Sequence, residues 1–169
     1  MSIYMYRIWL SVFGAGYSPL IPGTCGSAVV AAVFLVTAWA GVGPGVLAAV
    51  MLVLAAHGFV VTIVYGDRFI EEYGRSDPRQ IVSDEQCGQA ITFLWFWPMI
   101  ADLTGSEILV FTAVGFVLFR IFDIIKPPPI RQLEKLKGAW GVLMDDVLAG
   151  VYAQIALQIF WRLGGLDWV

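Results

Sequence analysis

The stretch "SAVVAAVFLVTAWAGVGPGVLAAVMLVLAAHGFVVTIVY", residues 27–65, decides the fold class, because it contains no Asp, Glu, Lys or Arg and only one histidine. It lies within a longer run from Arg7 to Asp67 that has no formally charged residue between its ends. A run of this length can hold two membrane-crossing helices of about 20 residues each, joined by a short turn at "GVGPG", residues 41–45. The stretch therefore predicts a chain whose helices cross a lipid bilayer.

The composition of the whole chain is also typical of a membrane protein. Of the 169 residues, 59% are hydrophobic and 14% are charged, and the mean hydropathy of +0.80 lies outside the usual range of soluble domains. We predict an all-α, multi-pass membrane helical bundle that forms a single domain over residues 1–169. About five apolar segments are expected, at 27–43, 45–65, 88–103, 107–122 and 147–163.

The basic residues predict how the bundle is oriented in the membrane. If all five segments cross, the N-terminus and the charged stretches at 66–87 and 123–146 share one side. That side holds nine of the ten lysines and arginines, and only Arg162 lies near the opposite side. Since Lys and Arg near helix ends favour the cytoplasm, the long polar stretches are expected to face the cytoplasm. The stretch "FLWFWP" at 93–98 is expected to form an interfacial aromatic belt.

Other features of the sequence exclude several classes of function. A net charge of −3 without a basic tail argues against nucleic acid as a partner. Cys25 and Cys87 lack CxxC spacing, so neither a zinc site nor a disulfide framework is indicated. Neither cysteine has an arginine six residues later, no DxD motif is present and His57 is the single histidine. These absences exclude nucleophile schemes that need a cysteine with such an arginine, an aspartate of a DxD motif, or two histidines. His57 is expected to pack or to form a hydrogen bond, and water activated by a metal is the economical nucleophile.

Polar motifs gather on the expected cytoplasmic side. They are "SPLIPGTCGS" at 18–27, "IVSDEQCGQ" at 81–89, "FRIFDIIKPPPIR" at 119–131 and "GVLMDDVLAG" at 141–150. Ionisable groups at membrane helix ends are costly, so a functional interpretation is the default. Their carboxylates are hard oxygen ligands, which suit Mg²⁺, an ion that keeps several waters and binds substrate phosphate. The candidate ligands are Asp84, Glu85, Asp123, Asp145 and Asp146.

The first and third motifs each have a phosphate-binding and a structural interpretation. "PGTCGS" at 22–27 is either a glycine-bearing loop whose N–H groups meet a phosphate before a helix, or a plain loop with Ser27 as the N-cap. Arg120, Asp123 and Lys126 share one helical face. They either present cations to a phosphate beside a carboxylate, or form a basic helix end that three prolines terminate.

The paired aspartate also has two interpretations. Asp145 and Asp146 precede an apolar run, so they either serve the site or cap the helix that follows. Asp84 lies four residues before Gly88, and Asp146 lies four before Gly150. On a helix each glycine leaves space beside a carboxylate, either for a lipid headgroup or for close packing of another helix.

In their order and spacing, these motifs resemble the phosphatidylglycerophosphatase A family of bacterial membrane lipid phosphatases, over nearly the whole chain. The resemblance implies Mg²⁺-dependent hydrolysis of phosphatidylglycerol phosphate to phosphatidylglycerol and inorganic phosphate. It also implies a bacterial inner-membrane protein whose active site faces the cytoplasm and whose substrate is a membrane phospholipid. Two departures from the family pattern are small, since Cys25 stands where a bulky apolar residue is common and Ala139 replaces a glycine.

With this resemblance, roles can be assigned as a hypothesis. One carboxylate acts as a general base toward water, or as a nucleophile that forms an aspartyl phosphate. The expected catalytic residues are Asp84, Glu85, Asp123, Lys126, Asp145 and Asp146, and the five carboxylates among them are the expected Mg²⁺ ligands. The expected phosphate-binding residues are Gly23, Thr24, Gly26, Ser27, Arg120 and Lys126.

Other functions compete with this assignment. A membrane ion or metal carrier would also gather carboxylates, although its ligands are expected near mid-bilayer on broken helices. A structural subunit would use the charged loops to bind a partner or anionic headgroups. Among enzymes, the nearest competitor is a phosphatase that acts on another lipid phosphomonoester.

Overall fold

The computed structural model describes residues 3–95 and 103–164, and within these ranges every regular element is a helix. This confirms the predicted all-α class. The elements are α1 (Ile3–Leu10), a 3₁₀ turn (Ala15–Tyr17), α2 (Pro22–Trp39), α3 (Pro44–Tyr73), α4 (Ser83–Phe93), α5 (Gly105–Ile125), α6 (Ile130–Leu133) and α7 (Ala139–Arg162).

Of these helices, α2, α3, α5 and α7 are long and apolar enough to cross a membrane. Helix α3 has 30 residues, or about 45 Å, so it is longer than the hydrocarbon core of about 30 Å. The predicted segment at 88–103 corresponds to α4, which begins earlier and has only 11 residues. Residues 96–98 of the aromatic stretch at 93–98 lie outside the described residues.

The starts of α4 and α5 lie at opposite ends of the bundle. Helix α4 begins beside the N-terminus of α2, where Gly23 meets Glu85. Helix α5 begins beside the C-terminus of α2, where the Trp39 indole N–H donates to the Gly105 carbonyl at 2.9 Å. As predicted, the polar motifs therefore lie at one end of the bundle.

Local signals account for the ends of several helices. Pro22 and Pro44 stand in the first turns of α2 and α3, where the missing N–H costs nothing. A capping box of Thr104 and Glu107 starts α5. This helix ends at Ile125, and the C-cap residue Lys126 has a left-handed φ of 48° and directly precedes the prolines. The predicted proline-terminated helix is therefore confirmed.

Two predicted boundaries are wrong. The stretch 22–27 forms the first turns of α2, so Ser27 is no N-cap; its hydroxyl donates to the Gly23 carbonyl at 3.0 Å inside the helix. Helix α7 begins at Ala139, and Asp145 and Asp146 therefore lie inside it and do not start or cap it. In the first case Gly23 and Gly26, which were expected in a loop, belong to the helix.

Helix α4 lies at the centre of the bundle because glycines let its neighbours approach. A Cβ atom on Gly150 would collide with the Gly88 carbonyl, and one on Gly88 would lie 2.5 Å from the Asp146 carbonyl oxygen. Small residues at such crossings are the usual means of close helix packing in membranes. The helix-packing interpretation of these glycines is the correct one, and it brings the start of α4 against α7.

Aromatic side chains fill the half of the bundle away from the polar motifs. Phe34 stacks on Phe93 with ring centroids 4.2 Å apart, and Phe111 lies 5.9 Å from Phe34. All three are buried, and they join α2, α4 and α5. The polar end is thereby held in place by a rigid apolar core.

Candidate active site

A cavity of about 540 Å³ opens at the polar end of the bundle. All four sequence motifs contribute to its wall. Most of the predicted site residues line it: Gly23, Thr24, Asp84, Glu85, Arg120, Asp123, Lys126, Asp145 and Asp146. Gly26 and Ser27 lie outside the lining, since Gly26 packs against Val82 and Ser27 sits behind Arg120.

Three of the five predicted metal ligands come together. Asp84, Glu85 and Asp146 each offer a carboxylate oxygen, and these oxygens lie within 4.8 Å of one another. Asp84 and Asp146 are buried, at 5% and 4% exposure. Within the described part of the chain, Asp84 Oδ1 and Glu85 Oε2 have no hydrogen-bond partner.

This carboxylate cluster fits a hard divalent cation. Two unit charges 4.8 Å apart repel each other by about 3.5 kcal/mol at an effective dielectric constant of 20. Buried and unpartnered carboxylate oxygens need a counter-charge, and oxygen donors are the ligands that Mg²⁺ prefers. The residues therefore suit Mg²⁺ in both charge and chemistry.

The other two predicted ligands are each paired with a cation. Asp123 accepts a hydrogen bond from Arg120 at 2.8 Å, one turn away on α5. Asp145 accepts from the Lys126 ammonium at 2.6 Å through Oδ2, whereas its Oδ1 is buried and has no partner among the described residues. The five acidic residues thus divide into an unpaired triad and two ion-paired aspartates around one cavity.

Lys126 reaches the cavity because it ends α5 in a left-handed conformation. Its ammonium contacts Asp145 and, at 3.3 Å, Glu134 from the segment after α6. Burial acts to lower the pKa of Lys126, but its hydrogen bonds and charge interactions with Asp145 and Glu134 outweigh burial, so that the pKa is raised. Lys126 therefore stays cationic at any physiological pH.

The start of α2 forms an uncharged part of the cavity wall that lies close to Glu85 and Arg120. A Cβ atom on Gly23 would collide with Glu85 Oε1 and lie 3.5 Å from an Arg120 guanidinium nitrogen. Arg120 also donates to the Ser27 hydroxyl at 3.3 Å. The guanidinium thus lies between α2 and the carboxylates, and one of its donors, Nε, has no partner among the described residues.

Sequence reasoning missed several residues of this region. Ser76, Asp77, Arg79 and Glu134 line the cavity from the segments before α4 and after α6. Asp67, near the end of α3, accepts the Ala139 N–H at 2.7 Å and so holds the start of α7. The sequence signal for Asp67 was its position as the first charge after the apolar run.

The isolated histidine and the cysteines lie apart from this chemistry. His57 Nδ1 is 3.0 Å from the Gln86 amide nitrogen, and its ring packs against Trp9 at 5.3 Å. Cys25 and Cys87 are both free thiols. These observations agree with the predicted packing role of His57.

The comparisons with known proteins point to one family. The family model described as Phosphatidylglycerophosphatase A matches residues 8–161. A provisionally named phosphatidylinositol-3-phosphatase of Bacteroides thetaiotaomicron is 34% identical over 90% of this chain and 91% of its own. Proteins named phosphatidylglycerophosphatase A from Escherichia coli and Haemophilus influenzae are 32% and 35% identical, over 92% and 89% of this chain and 84% and 86% of theirs. No solved structure matches the chain significantly.

Proposed function

The chain belongs to the phosphatidylglycerophosphatase A family of lipid phosphatases, and from this premise we propose that it hydrolyses phosphatidylglycerol phosphate to phosphatidylglycerol and phosphate, with Mg²⁺ as cofactor. The observation that carries the proposal is the unpaired carboxylate triad beside two cations in one cavity. A divalent cation and a phosphomonoester each find complementary groups there. A carrier would need ligands near mid-bilayer, whereas this cavity opens at one end of the bundle.

Asp84, Glu85 and Asp146 would hold Mg²⁺. When bound, Mg²⁺ supplies a Lewis acid for the phosphoryl oxygens and lowers the pKa of water. Arg120 and Lys126 bind and orient the phosphate oxygens through charge-assisted hydrogen bonds. The fixed positions of these cations stabilise the charge that spreads over the transferring phosphoryl group.

Asp145 is the general base in this scheme. Its Oδ2 is held by Lys126, and its Oδ1 has no hydrogen-bond partner among the described residues, so we assign to this oxygen the proton of the attacking water. The water oxygen forms a bond to phosphorus while the bond from phosphorus to the ester oxygen breaks. The alkoxide of phosphatidylglycerol leaves and takes up a proton from solvent, and Asp145 returns its proton to solvent. Asp123 keeps Arg120 aimed at the phosphate.

Phosphate release from three lipids in detergent micelles tests the proposal. We expect Mg²⁺-dependent release from phosphatidylglycerol phosphate, none in EDTA, and much less from phosphatidic acid and phosphatidylinositol 3-phosphate. Asp145→Asn should lower kcat by about 10²–10⁴-fold, the usual contribution of a general base. Glu71→Gln, an exposed acid of α3 outside the cavity wall, is the matched control.

Each alternative result has a distinct meaning. Preferred phosphate release from phosphatidylinositol 3-phosphate would show that this chain acts on the lipid given in the name of the Bacteroides relative. Release that persists in EDTA would refute the role of Mg²⁺. No release from any lipid by folded protein would favour the carrier and subunit hypotheses.

The location of the protein is part of the proposal. We propose that it resides in the bacterial inner membrane with the cavity facing the cytoplasm. Bacterial relatives and four candidate membrane spans support this assignment. The concentration of basic residues at the cavity end supports the orientation.

A further inference from the structure

Apart from the polar cavity, the protein has an apolar groove along the lipid-facing side of α2 and α5. It has a volume of about 210 Å³ and is lined by Ala28, Ala32 and Leu35 of α2 and by Leu109, Ala113 and Phe116 of α5. The hydroxyl of Thr112, its one polar side chain, donates to the Ile108 carbonyl at 2.7 Å. The groove therefore offers no free polar group, and its alanines leave a concave floor.

The groove continues from the polar cavity along the same two helices. On α2, Thr24 lines the cavity, and Ala28, one turn later, lines the groove. On α5, Arg120 lines the cavity, and Phe116, one turn earlier, lines the groove. Residues four apart share a helix face at a rise of about 6 Å, so the groove begins about one turn below the phosphate-binding groups.

The mouth of the cavity between these helices is apolar. Leu20, Ile21 and Ile124 line the polar cavity, yet they are 84%, 55% and 70% exposed. Exposed large apolar side chains at the entrance to a charged cavity suit hydrocarbon better than water. The entrance is therefore built to pass a molecule that has both an acyl chain and a polar headgroup.

We propose that the α2–α5 groove binds one acyl chain of the phospholipid substrate while its phosphate lies in the polar cavity. This inference rests on the proposed function. The chain enters past Leu20, Ile21 and Ile124 and lies along the alanine floor, which fixes the depth at which the headgroup meets Arg120. An acyl chain is the fitting occupant because the groove is apolar, faces lipid and ends at the phosphate site.

A second lipid-facing groove provides the matched control. It has a volume of about 400 Å³ and lies along α3, lined among others by Val46, Ala49 and Val53. This groove is larger but lies near the opposite end of the bundle, on a helix face without a link to the cavity. Ala32 and Ala49 are both exposed alanines on membrane helices, so a phenylalanine at either site projects toward lipid.

The test compares Ala32→Phe with Ala49→Phe on two substrates. One is the diacyl lipid phosphatidylglycerol phosphate, and the other is its deacylated, water-soluble form, which has the same headgroup. Filling the groove should lower kcat/KM for the diacyl lipid about tenfold, which corresponds to about 1.4 kcal/mol. Hydrolysis of the deacylated substrate should not change, and Ala49→Phe should match the wild type on both. Ala113→Phe, from the opposite wall, should reproduce the loss.

The outcomes separate this inference from the proposed function. If the wild type hydrolyses neither substrate, the proposed function fails and the inference fails with it. If the wild type is active and Ala32→Phe and Ala113→Phe keep full kcat/KM for the diacyl lipid, only the groove inference is overturned. Equal losses on the deacylated substrate, or an equal loss in Ala49→Phe, would also overturn it.

Discussion

Asp84→Asn is expected to stabilise the Mg²⁺-free protein and to remove its response to Mg²⁺. Asp84, Glu85 and Asp146 crowd three carboxylate oxygens within 4.8 Å. Two of these residues are buried, and no basic side chain forms an ion pair with any of the three in the described part of the chain. The cluster therefore opposes folding unless a cation or a bound proton neutralises part of its charge.

The size of the effect follows from two limits. Each pair of unit charges at 4.8 Å costs about 3.5 kcal/mol at a dielectric constant of 20, and asparagine removes two of the three pairs. The cluster can reduce this cost by holding a proton, which requires about 4 kcal/mol at pH 7 for a carboxyl group with an ordinary pKa near 4. We therefore expect a gain of about 1–4 kcal/mol, and a gain of 2 kcal/mol corresponds to a rise in Tm of roughly 4–8 °C.

The assay is thermal unfolding in detergent, in EDTA and in Mg²⁺. Mg²⁺ at 100 times its Kd should stabilise the wild type by about 2.7 kcal/mol, and the variant should gain much less. The matched control is Asp123→Asn, which breaks the 2.8 Å pair with Arg120 outside the triad. It should lower Tm in EDTA and keep the Mg²⁺ response. An Asp84→Asn variant that melts below the wild type in EDTA, or keeps the full Mg²⁺ shift, would refute the reasoning.

Two further predictions concern the groups that hold the site together. Lys126→Ala leaves Asp145 buried without its ion pair, so unfolding measurements should show a loss of roughly 3–5 kcal/mol. Adding Asp145→Asn should restore most of the stability but not phosphate release; a single variant as stable as the wild type would contradict this. Gly138→Ala should lower stability by at least about 1–2 kcal/mol, because φ is +62° and a Cβ atom would collide with Asp67 Oδ1. Gly43→Ala, whose Cβ meets open space, should melt close to the wild type, and equal melting of both variants would contradict the collision.

The sequence predicted the membrane bundle because charged side chains are costly in lipid, so a long uncharged run indicates membrane helices. The uncharged run between Arg7 and Asp67 could be accommodated only as apolar helices, and the structure has α2 and α3 there. The prolines after Lys126 predicted the end of α5 correctly, since proline cannot continue a helix. These features depend on local chemistry, which a sequence displays directly.

The division of the acidic residues could not be predicted in the same way. It depends on the close approach of Gly88 and Gly150, which brings Asp146 to Asp84 across two helices. The left-handed conformation of Lys126 directs its ammonium to a distant aspartate rather than along its own helix. Contacts of this kind join residues far apart in sequence, and spacing within one motif carries no information about them.

The charge of the cavity indicates the order in which the proposed reaction assembles. Among the described residues, seven acidic and three basic side chains line it, and Arg120 and Lys126 are already engaged by aspartates. A phosphate dianion that approaches this cavity alone meets a net negative field. In the proposed reaction a cation would therefore neutralise the triad before the phosphate enters, and the phosphate could then compete with the aspartates for Arg120 and Lys126. In this scheme the paired aspartates hold Arg120 and Lys126 in position until the substrate phosphate replaces part of the contacts between them.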